Sequence, residues 1–151
     1  GIGIYAGLDV IEVPGATGYL DTNYEGKASA AIEALKTRDL VFVHVEAPDE
    51  AGHEGSTEKK LKAVEDFDSR IVAPILKHAE TSAEPFTILV LPDHPTPVSV
   101  KTHTKDPIPF AVYRTDKPDT DMVEAFDEES VKKGSMGLVK ASDLIGMLVK
   151  S

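Results

Sequence analysis

Carboxylate and imidazole side chains cluster directly after two apolar runs of the sequence. Asp49 and His53 follow the first run, Asp93 and His94 follow the second, and His103 lies in the loop beyond it. Oxygen and nitrogen ligands without sulfur suit a divalent ion such as Zn²⁺ or Mn²⁺. Two such ions a few ångströms apart would suit phosphoryl or sulfuryl transfer, because each stabilises one side of an in-line displacement. These five residues are therefore the candidate metal ligands.

Each of these signals is weak when it is taken alone. An Asp-x-x-x-His spacing arises by chance, Asp93-His94 fits a turn with a hydrogen-bonded histidine, and His103 fits an ordinary loop residue. Their positions after successive predicted strands favour a shared site, because the carboxyl ends of parallel strands lie at one edge of a sheet.

The elements that would position these residues follow from apolar periodicity and turn signals. The pattern predicts strands over residues 9–13, 40–46, 86–91 and 109–113, and helices over residues 24–36, 57–80 and from 142 onward. Asp49 and His53 are expected in an acid-rich turn after the strand 40–46. Apolar strands alternating with helices indicate an α/β fold with three layers, in which a mostly parallel sheet carries helices on both faces. Pro74 lies inside the long helical pattern and is expected to kink or divide it.

Composition limits the function classes. The 151 residues are enough for one domain, and a net charge of −10 argues against nucleic acid and anionic membrane surfaces as partners. The chain has no cysteine, which excludes a disulfide framework and a thiolate metal site and fits a reducing, cytoplasmic location. No apolar run approaches the roughly 18–20 residues of a membrane span, and no signal-peptide pattern opens the chain.

Four blocks of sequence carry a family resemblance across nearly the whole chain. The blocks are EVPGATGYLDTNYEGKA (12–28), HVEAPDEAGHEG (44–55), LPDHPTPVSVKTHTKDPIPFAVY (91–113) and GLVKASDLIGMLV (137–149). With these blocks the chain resembles the cofactor-independent (2,3-bisphosphoglycerate-independent) phosphoglycerate mutases, in their archaeal-type branch within the alkaline phosphatase superfamily.

The resemblance implies a site with two divalent ions. Asp49, His53 and His103 would hold one ion, while Asp93 and His94 would hold the other together with an Asp and a Ser from elsewhere. In the family that serine takes the phosphoryl group and returns it to the other hydroxyl, so that 3-phosphoglycerate and 2-phosphoglycerate interconvert. Mn²⁺ is the family's usual ion, and Zn²⁺, Co²⁺ or Mg²⁺ also fit these ligands.

The sequence departs from the family pattern at the nucleophile. No serine here lies in a segment that matches the nucleophile's, so we expect it upstream in a longer parent chain. Residues 1–151 would then form the C-terminal part of the phosphatase-like catalytic domain, without its N-terminal part and the inserted substrate domain. We expect such a fragment to have an incomplete sheet, to be inactive alone and to self-associate through its exposed edge. Its partners would be the rest of the parent chain and the phosphoglycerate substrate.

Two alternatives remain open on the sequence. A phosphatase, sulfatase or phosphopentomutase-like enzyme of the same superfamily would use the same ion cage on another substrate. A non-catalytic metal-binding module would keep the ligands without the nucleophile.

Overall fold

The fold combines helices with a small sheet, as a computed structural model describes it for residues 2–117 and 120–149. None of the helices in these two ranges is both long and apolar enough to cross a membrane. In chain order the elements are α1 (Ile2–Tyr5), α2 (Tyr24–Ala34), α3 (Ala47–Glu54), α4 (Thr57–Phe67), a π-helical turn (Asp68–Val72), α5 (Ala73–Thr81), β1 (Thr87–Val90), β2 (Ala111–Arg114), a 3-10 turn (Ser130–Lys133) and α6 (Ala141–Val149).

The core forms where α2 packs across the junction between α4 and α5. Asn23 caps α2 by accepting a hydrogen bond from the Gly26 amide at 2.9 Å, and this fixes where the helix begins. Tyr24 and Ala28 of α2 and Ile71 of the π-helical turn are buried together. Partly buried apolar side chains pack around them: Val43, Val45, Phe67 and Ile75. Burial of these side chains holds α2 against the continuous helical segment formed by α4, the π-helical turn and α5.

Proline divides the long helix, as its position in the sequence predicts. Helix α4 passes into the π-helical turn Asp68–Val72, and α5 begins at Ala73 with Pro74 in its first turn. Pro74 has no amide hydrogen, and its ring crowds the carbonyl four residues earlier. The hydrogen-bond ladder therefore shifts to wider spacing just before the proline.

The predicted sheet is only partly confirmed. The strands predicted at 86–91 and 109–113 are present as β1 and β2, but they pair antiparallel, with Thr87 opposite Arg114 and Val90 opposite Ala111. Within the described residues this two-stranded sheet is the only one. The mostly parallel sheet with helices on both faces is therefore not observed in this part of the chain.

Two predicted strands are wrong for a physical reason. Residues 9–13 and 40–46 form neither helix nor strand in the structure. In the second segment Val43 and Val45 pack against the core, whereas Phe42 and His44 are exposed, so the alternation typical of a strand is present. A strand also needs a neighbour to pair with its backbone, and local sequence does not supply that neighbour.

The core assignment predicts a large loss of stability for Ile71→Ala. Ile71 is 2% exposed, and truncating it leaves a cavity between α2 and the π-helical turn. We expect the free energy of unfolding in urea to fall by roughly 2–5 kcal/mol. Leu61→Ala is the control, because Leu61 of α4 is 61% exposed and its truncation should change stability by less than about 0.5 kcal/mol. Equal effects of the two substitutions would contradict this core.

Candidate metal centre

Asp49 and His53 lie on helix α3 and not in a turn after a strand, so this part of the sequence-based prediction is wrong. Pro48 occupies the first turn of α3, where a missing amide hydrogen costs nothing. Asp49 also lies in that first turn, next to the positive end of the helix dipole. Gly55 ends the helix in the left-handed conformation with φ 73°, which glycine adopts without strain. These signals are local, and they make the segment a short helix.

The helix explains why the Asp-x-x-x-His spacing brings two side chains together. Residues four apart lie on the same helix face, so the two side chains point to one side of α3. Asp49 Oδ2 lies 3.3 Å from His53 Nε2. One turn of helix therefore supplies two of the five candidate ligands.

The loop after β1 brings His103 to this face of α3. His103 Nε2 lies 3.1 Å from His53 Nε2 and 3.4 Å from Asp49 Oδ1. One ligand atom from each of the three residues lies within 4.8 Å of the others. Tetrahedral coordination with bonds of about 2.0–2.1 Å places ligand atoms about 3.3 Å apart. The three side chains thus fit a divalent ion held by the Asp49 carboxylate and two imidazole nitrogens.

A backbone carbonyl sets the tautomer of His53. The Lys101 carbonyl oxygen lies 3.1 Å from His53 Nδ1 and can only accept, so Nδ1 carries a hydrogen and the neutral ring keeps its lone pair on Nε2. Lys101 has φ 59°, the left-handed conformation that is uncommon for a residue other than glycine. The conformation of this loop therefore places the carbonyl that orients His53 as a candidate ligand.

Asp93 and His94 lie beside this cluster. The His94 ring lies against the ring of His103, tilted by 33° with 3.7 Å between centroids, and its Nδ1 lies 3.8 Å from Asp49 Oδ1. Its Nε2 lies 3.4 Å from Asp93 Oδ2, whose side chain is exposed. The structure therefore brings all five predicted residues to one region, with three of them in a compact cluster and the other two adjoining it.

A protein-family model matches almost the whole chain. The model described as the metalloenzyme superfamily matches residues 2–151. The chain belongs to the metalloenzyme superfamily.

Curated relatives and a solved structure extend this family assignment. The chain is 89% identical to a Methanosarcina mazei protein named 2,3-bisphosphoglycerate-independent phosphoglycerate mutase, over all of this chain and 38% of that protein. It is 56% identical to a Geobacter sulfurreducens protein with the same name, marked probable, over 92% of this chain and 34% of that protein. A solved Pyrococcus horikoshii protein matches with a TM-score of 0.86 and 32% identity, over 97% of this chain and 43% of that one. The chain thus spans little more than a third of the length of these curated relatives.

The surroundings of Asp49 favour the ionised form of its carboxyl group. Partial burial by itself would raise the pKa of the Asp49 carboxyl. The hydrogen bond from Thr96 and the nearby imidazoles of His53, His103 and His94 outweigh burial, so the pKa lies below its usual value. The carboxylate is therefore charged at neutral pH, as a metal ligand must be.

The sequence pattern did not indicate that Thr96, Gly52 and Lys60 belong to the site. Thr96 is 3% exposed, and its hydroxyl hydrogen-bonds Asp49 Oδ1. Its carbonyl oxygen accepts a hydrogen bond from Lys60 Nζ at 2.5 Å. Gly52 of α3 lies against the same residue, because a Cβ there would overlap the Thr96 carbonyl oxygen and lie 2.9 Å from Thr96 Cγ2. The sequence signal for Thr96 was its position between two prolines directly after Asp93-His94.

The close contact at Gly52 predicts that Gly52→Ala is destabilising. The added methyl meets a backbone carbonyl, which cannot rotate away as a side chain can. We expect the free energy of unfolding to fall by roughly 1–3 kcal/mol, although alanine is the better helix former by about 1 kcal/mol. Chemical denaturation measures the change.

Gly18→Ala is the matched control for that substitution. Its Cβ would lie 2.6 Å from Glu46 Oε2, which is the end of an exposed, flexible side chain that can move aside. We expect wild-type stability for Gly18→Ala. A Gly52→Ala protein as stable as the wild type would show that α3 and Thr96 are not tightly packed.

Proposed function

We propose that the protein containing this chain is a 2,3-bisphosphoglycerate-independent phosphoglycerate mutase, which interconverts 3-phosphoglycerate and 2-phosphoglycerate in cytoplasmic glycolysis. The observation that carries this proposal is the convergence of Asp49, His53 and His103 in a chain 89% identical to relatives of that name. Residues 1–151 would supply the C-terminal part of the catalytic domain. The nucleophilic serine and the determinants of substrate choice would lie in the part of the protein outside this chain.

The proposed ligands divide between two ions. Asp49, His53 and His103 would hold one ion, and Asp93 and His94 would contribute to the second together with groups from the rest of the protein. Mn²⁺ is our first choice, and Zn²⁺, Co²⁺ and Mg²⁺ also accept oxygen and nitrogen ligands. Bound ions would lower the pKa of a coordinated hydroxyl and offset charge on the transferring phosphoryl group.

The residues of this chain would act by orientation and charge. Asp49 supplies a carboxylate whose pKa is held below its usual value, and His53 supplies an Nε2 lone pair fixed by the Lys101 carbonyl. The rings of His94 and His103 are in contact, with 33° between their planes. Ligands fixed before binding lose little conformational entropy when an ion arrives.

This proposal predicts that Asp49→Ala weakens metal binding by the 151-residue chain. The substitution removes the oxygen ligand and leaves two histidines, which hold a divalent ion poorly. Calorimetric titration with Mn²⁺ and Zn²⁺ should show binding by the wild type and a loss of at least about tenfold in affinity for the variant.

Glu50→Ala is the matched control for that titration. It removes the same charge from the next residue of α3, yet Glu50 lies outside the compact ligand cluster. We expect near wild-type affinity for Glu50→Ala and no mutase turnover from the 151-residue chain alone. Turnover by this chain, or metal binding that is indifferent to Asp49, would refute the proposal. A full-length protein whose mutase activity survives complete removal of divalent ions would refute it as well.

Residues 40–46 do not form a strand in this chain. We propose that in the full-length protein residues 40–46 become a strand of a three-layer, mostly parallel sheet. Their alternating burial supports this, and so do the exposed side chains of Val10, Ile11 and Phe42. A groove of about 480 Å³ beside them, between Ile11, Ala34 and Val41, leaves room for further chain. The rest of the parent protein would cover this face.

An uncovered face predicts that the isolated chain self-associates. Phe42 is 73% exposed and lies on a segment whose backbone has no paired neighbour in the described residues. We expect sedimentation velocity to show concentration-dependent association that Phe42→Ser reduces. Leu138→Ser is the control, since Leu138 is 86% exposed on another part of the chain and should not affect association. A wild type that stays monomeric at high concentration would contradict this proposal.

A further inference from the structure

Thr96 lies between ligands of the two proposed ion sites. Its side chain is almost completely buried, and its Oγ1 hydrogen-bonds Asp49 Oδ1. The same oxygen lies 3.3 Å from His94 Nδ1. One hydroxyl therefore contacts a residue of the first site and a residue of the second.

The position of the hydrogens follows from the number of donors. A threonine hydroxyl has one hydrogen to donate and two lone pairs that accept. Ionised Asp49 can only accept, so the Thr96 hydrogen points to Asp49 Oδ1. The contact with His94 then requires His94 Nδ1 to carry a hydrogen and to donate it to Thr96 Oγ1. This tautomer leaves the lone pair of His94 on Nε2, which is the nitrogen facing Asp93 at 3.4 Å.

We propose that Thr96 is a positioning residue that couples the two ion sites. Its hydroxyl fixes the rotation of the Asp49 carboxylate at one site, and it fixes the tautomer of His94 at the other. This inference rests on the proposed function, because it assumes that the two sites hold ions. It goes further by assigning the orientation of a ligand in each site to one uncharged side chain.

Thr96 is itself held from two sides. Lys60 Nζ donates to its carbonyl oxygen at 2.5 Å, and α3 packs against it at Gly52. Pro95 and Pro97 each have a fixed φ, and Pro97 also disfavours helical backbone at Thr96. A hydroxyl placed by such contacts has little freedom to turn away from Asp49 and His94.

The first test needs no substitution. Nitrogen-15 NMR of the metal-free 151-residue chain reports which nitrogen of each histidine carries hydrogen. We expect the Nδ1–H tautomer for His94 in the neutral ring, whereas a free imidazole favours Nε2–H. A wild-type His94 with hydrogen on Nε2 would overturn the proposal even if no variant folded.

The second test compares three substitutions by Co²⁺ titration, followed through the visible absorption band of the bound ion. Thr96→Val keeps the shape of the side chain and removes the hydroxyl, so we expect affinity to fall about 10- to 100-fold and His94 to move toward the Nε2–H tautomer. Thr96→Ser retains the hydroxyl and should retain both properties. Thr22→Val is the matched control, because Thr22 is also 3% exposed and lies outside the ligand cluster. It should leave Co²⁺ affinity and the His94 tautomer unchanged.

The outcomes separate this inference from the proposed function. A wild type that does not bind Co²⁺ would overturn the metal centre and the role of Thr96 with it. A wild type that binds Co²⁺, with equal affinity in Thr96→Val, would overturn the role of Thr96 alone. Equal losses in Thr96→Val and Thr22→Val would show a general effect of stability and would also overturn it.

Discussion

The close approach of helix α3 to the loop after β1 is the contact on which the candidate metal centre depends. Gly52 has no side chain, so the helix can lie directly against the Thr96 backbone. At this distance Asp49 and His53 on the helix meet His103 on the loop. A larger residue at position 52 would separate the candidate ligands of α3 from those of the loop, although each segment could keep its local structure.

The fold supports this contact from behind α3. Helices α3 and α4 meet at the Gly55–Ser56 corner, and Ser56 caps α4 by accepting from the Lys59 amide at 3.3 Å. Lys59 also donates to Glu54 at the end of α3 and to the hydroxyl of Tyr19 in the preceding loop. These polar contacts are partly exposed and contribute little stability individually. They connect the end of α3 to α4 and to the loop that holds Tyr19, while the apolar core lies around Tyr24 and Ile71.

Charge and hydrogen bonding in the site favour cation binding before any ion is present. Ionised Asp49 is surrounded by three imidazoles, and two of those rings have a partner that determines which nitrogen is free. Both partners, a backbone carbonyl and a threonine hydroxyl, are uncharged. They orient the ligands without competing with the ion as a second cation would.

The sequence alone determined the five candidate ligands, the helices at 24–36 and 57–80, the break at Pro74 and the two strands that pair, because residue type and periodicity act over a few neighbouring residues. It also contained the signals for helix α3, in Pro48 and Gly55, but the apolar run before them suggested a strand and a turn. Only the tertiary structure decided that β1 and β2 pair antiparallel, that residues 40–46 lack a partner here, and that Thr96, Gly52 and the Lys101 carbonyl complete the site. Those features depend on contacts between segments far apart in the chain, which local preferences do not specify.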